Sequence, residues 1–143
     1  MSVVTPISQD GEVLVVRMTA NDQMRYNLDQ FTVKPGQTVR LTLDNIGKMP
    51  KASMGHNVVI VQPDTNLNAL AAAAALEKAN DYIPPSFKDS IFAHTIMLGA
   101  GESDTIEFTA PEATGVYPFL CSFPAHLFAG MRGEMVVEAE TAE

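Results

Sequence analysis

The chain has 143 residues, 46% of them apolar, which is the size of one domain and excludes a disordered chain. Its formal charge of −8, from 9 basic and 17 acidic side chains, repels phosphate backbones and excludes nucleic acid as a partner. The single cysteine forbids an intramolecular disulfide and a zinc site closed by four thiolates.

The longest apolar run, Ala69–Leu76, has eight residues, far short of the roughly 20 that cross a bilayer. The acidic excess lies wholly in residues 72–143, where 11 acidic side chains face 3 basic ones. It serves solubility and self-avoidance, and it would also steer a positively charged partner. Met1–Asp10 has neither the basic start nor the apolar stretch of a signal peptide, and is expected to form a flexible N-terminal segment. Residues 11–143 are expected to form one domain, with Ala139–Glu143 frayed at its end.

Along the chain, most segments read as short strands. Val13–Thr19 is apolar and β-branched, with Arg17 breaking the run. Tyr26–Val33 alternates tolerably and leads into Lys34-Pro35-Gly36-Gln37, where Pro and Gly stand as a type II turn requires. Thr38–Leu43 alternates cleanly, with Val39, Leu41 and Leu43 on one face and Thr38, Arg40 and Thr42 on the other. His56–Val61, Ile91–Leu98, Asp104–Phe108, Val116–Leu120 and Glu134–Glu138 complete a set of about eight. Gly and Pro punctuate them at Gly47–Pro50, Gly99–Gly101 and Pro111–Gly115. Short strands without strand–helix alternation indicate an all-β, antiparallel sandwich or barrel.

One segment breaks that pattern. Asn66–Asn80 is rich in Ala and Leu, with Asp64, Thr65 or Asn66 available as N-cap, and Pro84-Pro85 beyond it. Leu67, Leu70, Ala74 and Glu77 fall near one another in helical spacing. A helical insertion lying on the outside of the barrel is expected.

The chemistry gathers in Cys121–Met131, between the last two expected strands. A thiol, an imidazole (His126) and a thioether (Met131) fall within eleven residues. Thiolate and imidazole suit copper or zinc, and a weak thioether added to them points to copper. His56, after Gly55 at the head of another strand, would complete a plane of two histidines and one cysteine. A lone Cys is most often a small buried hydrophobe, and with eight Met residues one near a Cys is unsurprising. The joint spacing carries the inference. His94 has no matching partner and reads as a surface residue on a strand.

Cys121, four residues, His126, four residues and Met131, with Met54-Gly55-His56-Asn57 upstream, resembles the cupredoxins, the small blue-copper proteins. Within them the chain is most similar to azurin and the auracyanins. Ala93-His94-Thr95 with Leu98–Glu102, and Tyr117, Phe119 and Cys121–Pro124, resemble the azurin approach to the copper loop. Asn66–Asn80 sits where azurin carries its flap. The His126–Met131 gap is one residue longer than azurin's and looks more like auracyanin. Ala125 stands where azurin has Gly, Val58 stands where it has a buried Trp, and azurin's disulfide has no counterpart.

The resemblance implies a Greek-key β-sandwich of about eight strands binding one copper ion, Cu(I) or Cu(II), per chain. It implies His56, Cys121 and His126 as strong ligands, Met131 as a long axial ligand and the Gly55 carbonyl as a weak contact opposite. Asn57 would pin the two ligand loops and Phe123 would shield the site. The implied function is one-electron transfer without enzymatic activity, in a monomer located in the periplasm or on the cell surface. A membrane would be reached only through a leader or lipid anchor absent from the chain. The partner would be a redox protein, a cytochrome or an oxidase or reductase. It would dock on the apolar loop around His126: Pro124, Ala125, Leu127, Phe128 and Ala129, with Met49, Pro50 and Met54. From another class, a copper-storage or delivery module remains open as the alternative.

Overall fold

Strict alternation of apolar and polar residues makes a strand with one wet face and one buried face. The segment with the cleanest alternation does this, as the inner strand of a sheet. The computed structural model describes residues 7–139. Its strands, in chain order, are β1 (Ile7–Asp10), β2 (Val13–Ala20), β3 (Gln30–Val33), β4 (Thr38–Asn45), β5 (Val59–Val61), β6 (Ile91–His94), β7 (Ser103–Thr109), β8 (Gly115–Leu120) and β9 (Arg132–Val137). Four form one sheet in the order β1-β2-β4-β7, and five form the other in the order β3-β9-β8-β5-β6.

Val39, Leu41 and Leu43 point inward from β4 and are fully buried. They join Phe31, Phe119 and Met135 of the opposite sheet in one apolar cluster. Phe119 stands at its centre, with ring centroids 5.4 Å from Tyr26 and 5.8 Å from Phe31. Gly133 on β9 allows this packing, because a Cβ there would collide with the Phe119 ring and the Asp29 carbonyl.

The β-sandwich stands, with corrections to its details. Nine strands occur among the described residues, because Ile7–Asp10 is no flexible tail. It pairs with β2, placing Ile7 opposite Val16. Residues 1–6 and 140–143, where the remaining fraying was expected, lie outside the described residues. The sheets are mixed, not wholly antiparallel: β2 pairs parallel with β4, and β3 with β9. After β2 the chain crosses to the second sheet to make β3, then returns beside β2 in the same direction, and parallel neighbours require such a crossover.

Three strands are shorter than their sequence pattern. β3 begins only at Gln30; Tyr26 instead makes an isolated bridge with Ala20, and its hydroxyl donates to the Asn57 carbonyl. Neither His56–Asn57-Val58 nor Thr95–Leu98 continues its strand. There Val58 N–H donates to the Thr95 hydroxyl at 3.1 Å, so a side chain interrupts the backbone ladder. The turn at 34–37 forms as expected, with Gln37 N–H donating to the Lys34 carbonyl at 3.1 Å and Gly36 at φ +72°.

The insertion is helical but shorter than Asn66–Asn80. Among the described residues two α-helices form: the single turn α1 (Lys51–Met54), which composition did not announce, and α2 (Leu67–Ala74). Asn66 caps α2, its side-chain oxygen accepting from Ala69 N–H at 3.0 Å. Leu70 and Ala74 are buried, and the Leu70 side of the helix packs on Val59, Val61, Leu120 and Leu127, the outer face of the second sheet. Bonds from Leu76 to Ala73 and from Glu77 to Ala74 tighten the last turn, and Leu76 is left exposed. Lys78–Asn80 continues only as a 3₁₀ turn. No helix among the described residues is long and apolar enough to cross a membrane.

Candidate metal centre

The chemically distinctive side chains lie in the connections that lead into and out of strands. Cys121 follows β8 directly, Met131 precedes β9, and the chain between them is a loop built as one tight helical turn. Within it Gly130 N–H donates to Leu127, Met131 N–H to His126 at 3.0 Å, and Cys121 N–H to Met131 at 3.2 Å, closing the loop on itself. His56 arrives from α1 through Gly55. Its backbone pairs reciprocally with Leu98, at 3.1 and 2.8 Å. A Cβ at Gly55 would come within 3.0 Å of both the Lys51 carbonyl oxygen and Met97 Cγ, so any larger residue there needs its neighbours to give by a few tenths of an ångström.

Two buried hydrogen bonds join the loops. Asn57 Nδ2 donates to Ser122 Oγ at 2.9 Å, and Ser122 N–H donates to Asn57 Oδ1 at 2.8 Å. The role expected of Asn57 is therefore carried by a reciprocal pair across 65 positions of sequence.

The donor atoms converge. Cys121 Sγ lies 3.3 Å from His126 Nδ1, 4.0 Å from His56 Nδ1 and 3.9 Å from the Gly55 carbonyl. One ligand atom from each of His56, Cys121 and His126 lies within 4.8 Å of the others, close enough to hold one metal ion. All three residues are buried, and Met131 is buried in the cluster that contains Cys121. Phe123 packs its ring on His126 with centroids 4.6 Å apart, covering the site from one side. Met135, the next methionine in sequence, is buried in the same cluster, on β9 opposite Tyr117. His94 is exposed at the end of β6, as expected, with its Nδ1 paired to the Thr95 carbonyl at 2.9 Å.

Burial acts on every donor. It pushes the Cys121 thiol up to about 12, despite hydrogen bonds from the Asn57 and Phe123 backbones that favour the thiolate. It pushes His126 down to about 4, with help from the neighbouring His56. His56 is lowered too, again by burial first, while the Asn21 backbone and the Asp22 carboxylate oppose the shift. Its Nε2 is buried without a well-aligned hydrogen bond among the described residues. Neutral imidazoles are what a metal requires, and a cation set among these donors displaces the thiol proton. A thiolate, two imidazoles and a nearby thioether are the donor set of copper, so the residues present fit that ion.

Sequence reasoning missed the segment Asn21–Tyr26, which braces both ligand loops. Tyr26 holds the Asn57 carbonyl, and Asp22 accepts from Lys48 N–H at 2.9 Å and Met49 N–H at 3.5 Å. Arg25 Nη1 donates to the Ala129 carbonyl at 2.7 Å. The Asn-Asp pair marks a turn, but nothing local says which distant loop it meets. Leu127 is a correction: expected on the exposed patch, it is only 4% exposed and packs under α2. Phe128, by contrast, is 66% exposed, and Met49 is 39% exposed.

A family model described as copper binding proteins, plastocyanin/azurin family, matches residues 13–138. Azurin-2 of Alcaligenes xylosoxydans xylosoxydans is 36% identical over 120 residues, covering 81% of this chain and 91% of that protein. Outer membrane protein H.8 of Neisseria gonorrhoeae is 34% identical over 109 residues, 75% of this chain and 58% of its own length. Among solved structures, reduced auracyanin from the photosynthetic bacterium Roseiflexus castenholzii superimposes with a TM-score of 0.71 at 36% identity, covering 91% of this chain and 99% of that one. The span matched by the family model contains every strand except β1 and all four residues of the site. The chain belongs to the plastocyanin/azurin family of copper-binding proteins, and is a blue-copper cupredoxin of the azurin and auracyanin kind.

Proposed function

We infer that the chain is a one-electron carrier and not an enzyme, folded as a single domain that includes β1. Copper would be held most strongly by His56 Nδ1, Cys121 Sγ and His126 Nδ1, and more weakly by the Met131 thioether and the Gly55 carbonyl. The observation that carries this reading is the convergence of three buried donors within 4.8 Å on loops already tied together. When bound, copper supplies the Cu(II)/Cu(I) couple. The protein's part is to hold one compromise geometry for both oxidation states. Asn57, Ser122 and Tyr26 fix the loops, so little of the protein moves when the charge changes. Phe123 and the surrounding apolar side chains keep water from the sulfur, and these surroundings set the potential.

Electrons leave through the edge of His126, where a redox protein such as a cytochrome, oxidase or reductase docks. Phe128 and Met49 supply exposed apolar surface there, enough for the small interfaces of transient redox complexes. The protein is a monomer of the periplasm or cell surface. The similarity to the Neisseria relative, an outer membrane protein, supports that location.

Stopped-flow mixing of the copper-loaded protein with a reduced c-type cytochrome tests the reading. Transfer should be fast and reversible, and Phe128→Glu should slow it about tenfold, the equivalent of about 1.4 kcal/mol of docking energy, without changing the visible spectrum. No transfer from any reduced cytochrome tried would remove the carrier function. A parent rate in Phe128→Glu would move the docking surface elsewhere.

A further inference from the structure

The loop from His126 to Met131 ends in a carbonyl with an unusual partner. Inside the loop the backbone satisfies itself: Ala129 N–H donates to Ala125 and His126, Gly130 N–H to Leu127, and Met131 N–H to His126. The Ala129 carbonyl closes this turn and finds its partner 104 positions away, where Arg25 Nη1 donates to it at 2.7 Å. The same nitrogen donates to the Met24 carbonyl at 2.9 Å, so one guanidinium edge ties two loops together. The chain then reverses at Gly130, at φ +100°, immediately before Met131. A Cβ at Gly130 would lie 3.5 Å from Arg25 Nη1, so the guanidinium also lies directly against the reversal.

Arg25 is itself held. Asn21 Oδ1 accepts from Gln23 N–H at 3.0 Å and from Arg25 N–H at 3.2 Å. Asn21 N–H donates to the Arg25 carbonyl at 3.1 Å. The base of the side chain is therefore part of a closed turn. A cation at the C-terminal end of a helical turn meets its free carbonyl and the negative end of its dipole.

We propose that Arg25 is a positioning residue for the axial ligand: by capping the Ala129 carbonyl it fixes the Gly130 reversal and thereby sets how closely the Met131 thioether approaches the copper. The inference rests on Met131 being the axial ligand. It assigns to a side chain outside the ligand loops the control of that loop's last turn. Its contribution to stability is small, because the bond is exposed to solvent. Its effect is on geometry.

Charge and geometry have opposite signs here, which makes the role testable. Removing a positive charge near the site favours the oxidised, more positive state and lowers the potential only slightly. Releasing the thioether from the copper removes a donor to Cu(II) and raises the potential. In copper-loaded Arg25→Ala the potential should rise and the balance of the visible charge-transfer bands should change, while Arg25→Lys, which can still reach the carbonyl, restores both in large part. In the metal-free protein, hydrogen exchange at the Met131 amide should speed up in Arg25→Ala. In a Met131→Leu background the same substitution should shift the potential hardly at all, since the ligand through which it acts is gone. A fall in potential with an unchanged spectrum, or a shift of equal size in the Met131→Leu background, would overturn the proposal. If Met131→Leu alone leaves potential and spectrum at the parent values, it is the axial assignment that fails, a result separate from the Arg25 test.

Discussion

Replacing Cys121 with Ser should erase the intense visible absorption and weaken copper binding by orders of magnitude. The colour of such a site is charge transfer from thiolate sulfur, and a serine hydroxyl is a harder, poorer donor that stays protonated. The fold should survive. Ser is close to Cys in size, and its hydroxyl would sit within bonding reach of His126 Nδ1, now 3.3 Å from the sulfur. A buried hydroxyl with an imperfect partner costs about 1–3 kcal/mol, which a core drawing on both sheets tolerates. Absorption, circular dichroism and a copper titration on the same sample separate loss of ligand from loss of fold. A folded Cys121→Ser protein that remained strongly blue would refute the ligand set.

Met131 should behave in the opposite way, tuning the site without assembling it. Its main-chain bonds to Cys121 and His126 shape the loop whatever its side chain is, because they use backbone atoms. Met131→Leu fills the same buried volume with an apolar group. It should keep copper and colour but raise the reduction potential, since Cu(II) loses more than Cu(I) when the axial donor is withdrawn. Met131→Gln offers an oxygen, a harder donor that favours Cu(II), and should lower the potential. Met135→Leu, in the core, is the control and should leave the potential near the parent value. Protein-film voltammetry reads all three. A large shift in Met135→Leu with both Met131 variants unmoved would reverse the assignment.

What could be read in the sequence was what is local. The β4 alternation, the Pro-Gly turn and the Asn66 cap each depend on neighbours a few positions apart, and each forms as read. The spacing of Cys121, His126 and Met131 is local as well. His56 enters because a trigonal set lacks one imidazole, and the family resemblance then supports it, since nothing near His56 says which loop it will face. Features that depend on distant partners escaped. β1 is mostly polar and becomes a strand only because β2 offers an edge to pair with. Leu127 and Phe128 are adjacent apolar residues in one turn, and only the presence of α2 decides that the first is covered and the second bare. Tyr26 looked like the start of a strand, while its hydroxyl serves the Asn57 loop 31 positions away. The parallel pairings follow from a crossover between sheets that alternation cannot reveal.

Ala and Leu composition located the insertion correctly and overestimated its length. The Ala run continues past Ala74, but helix propensity alone gives an exposed Leu76 nothing to pack on, and the last turn tightens and stops.

Titration of the metal-free protein with Cu(II), followed by visible absorption and electron paramagnetic resonance, tests the central claim most directly. One equivalent per chain should saturate an intense thiolate-to-copper band, with the narrow hyperfine splitting of a strongly covalent Cu–S bond. Weak colour from ordinary tetragonal Cu(II), or copper retained with no thiolate band at all, would contradict it.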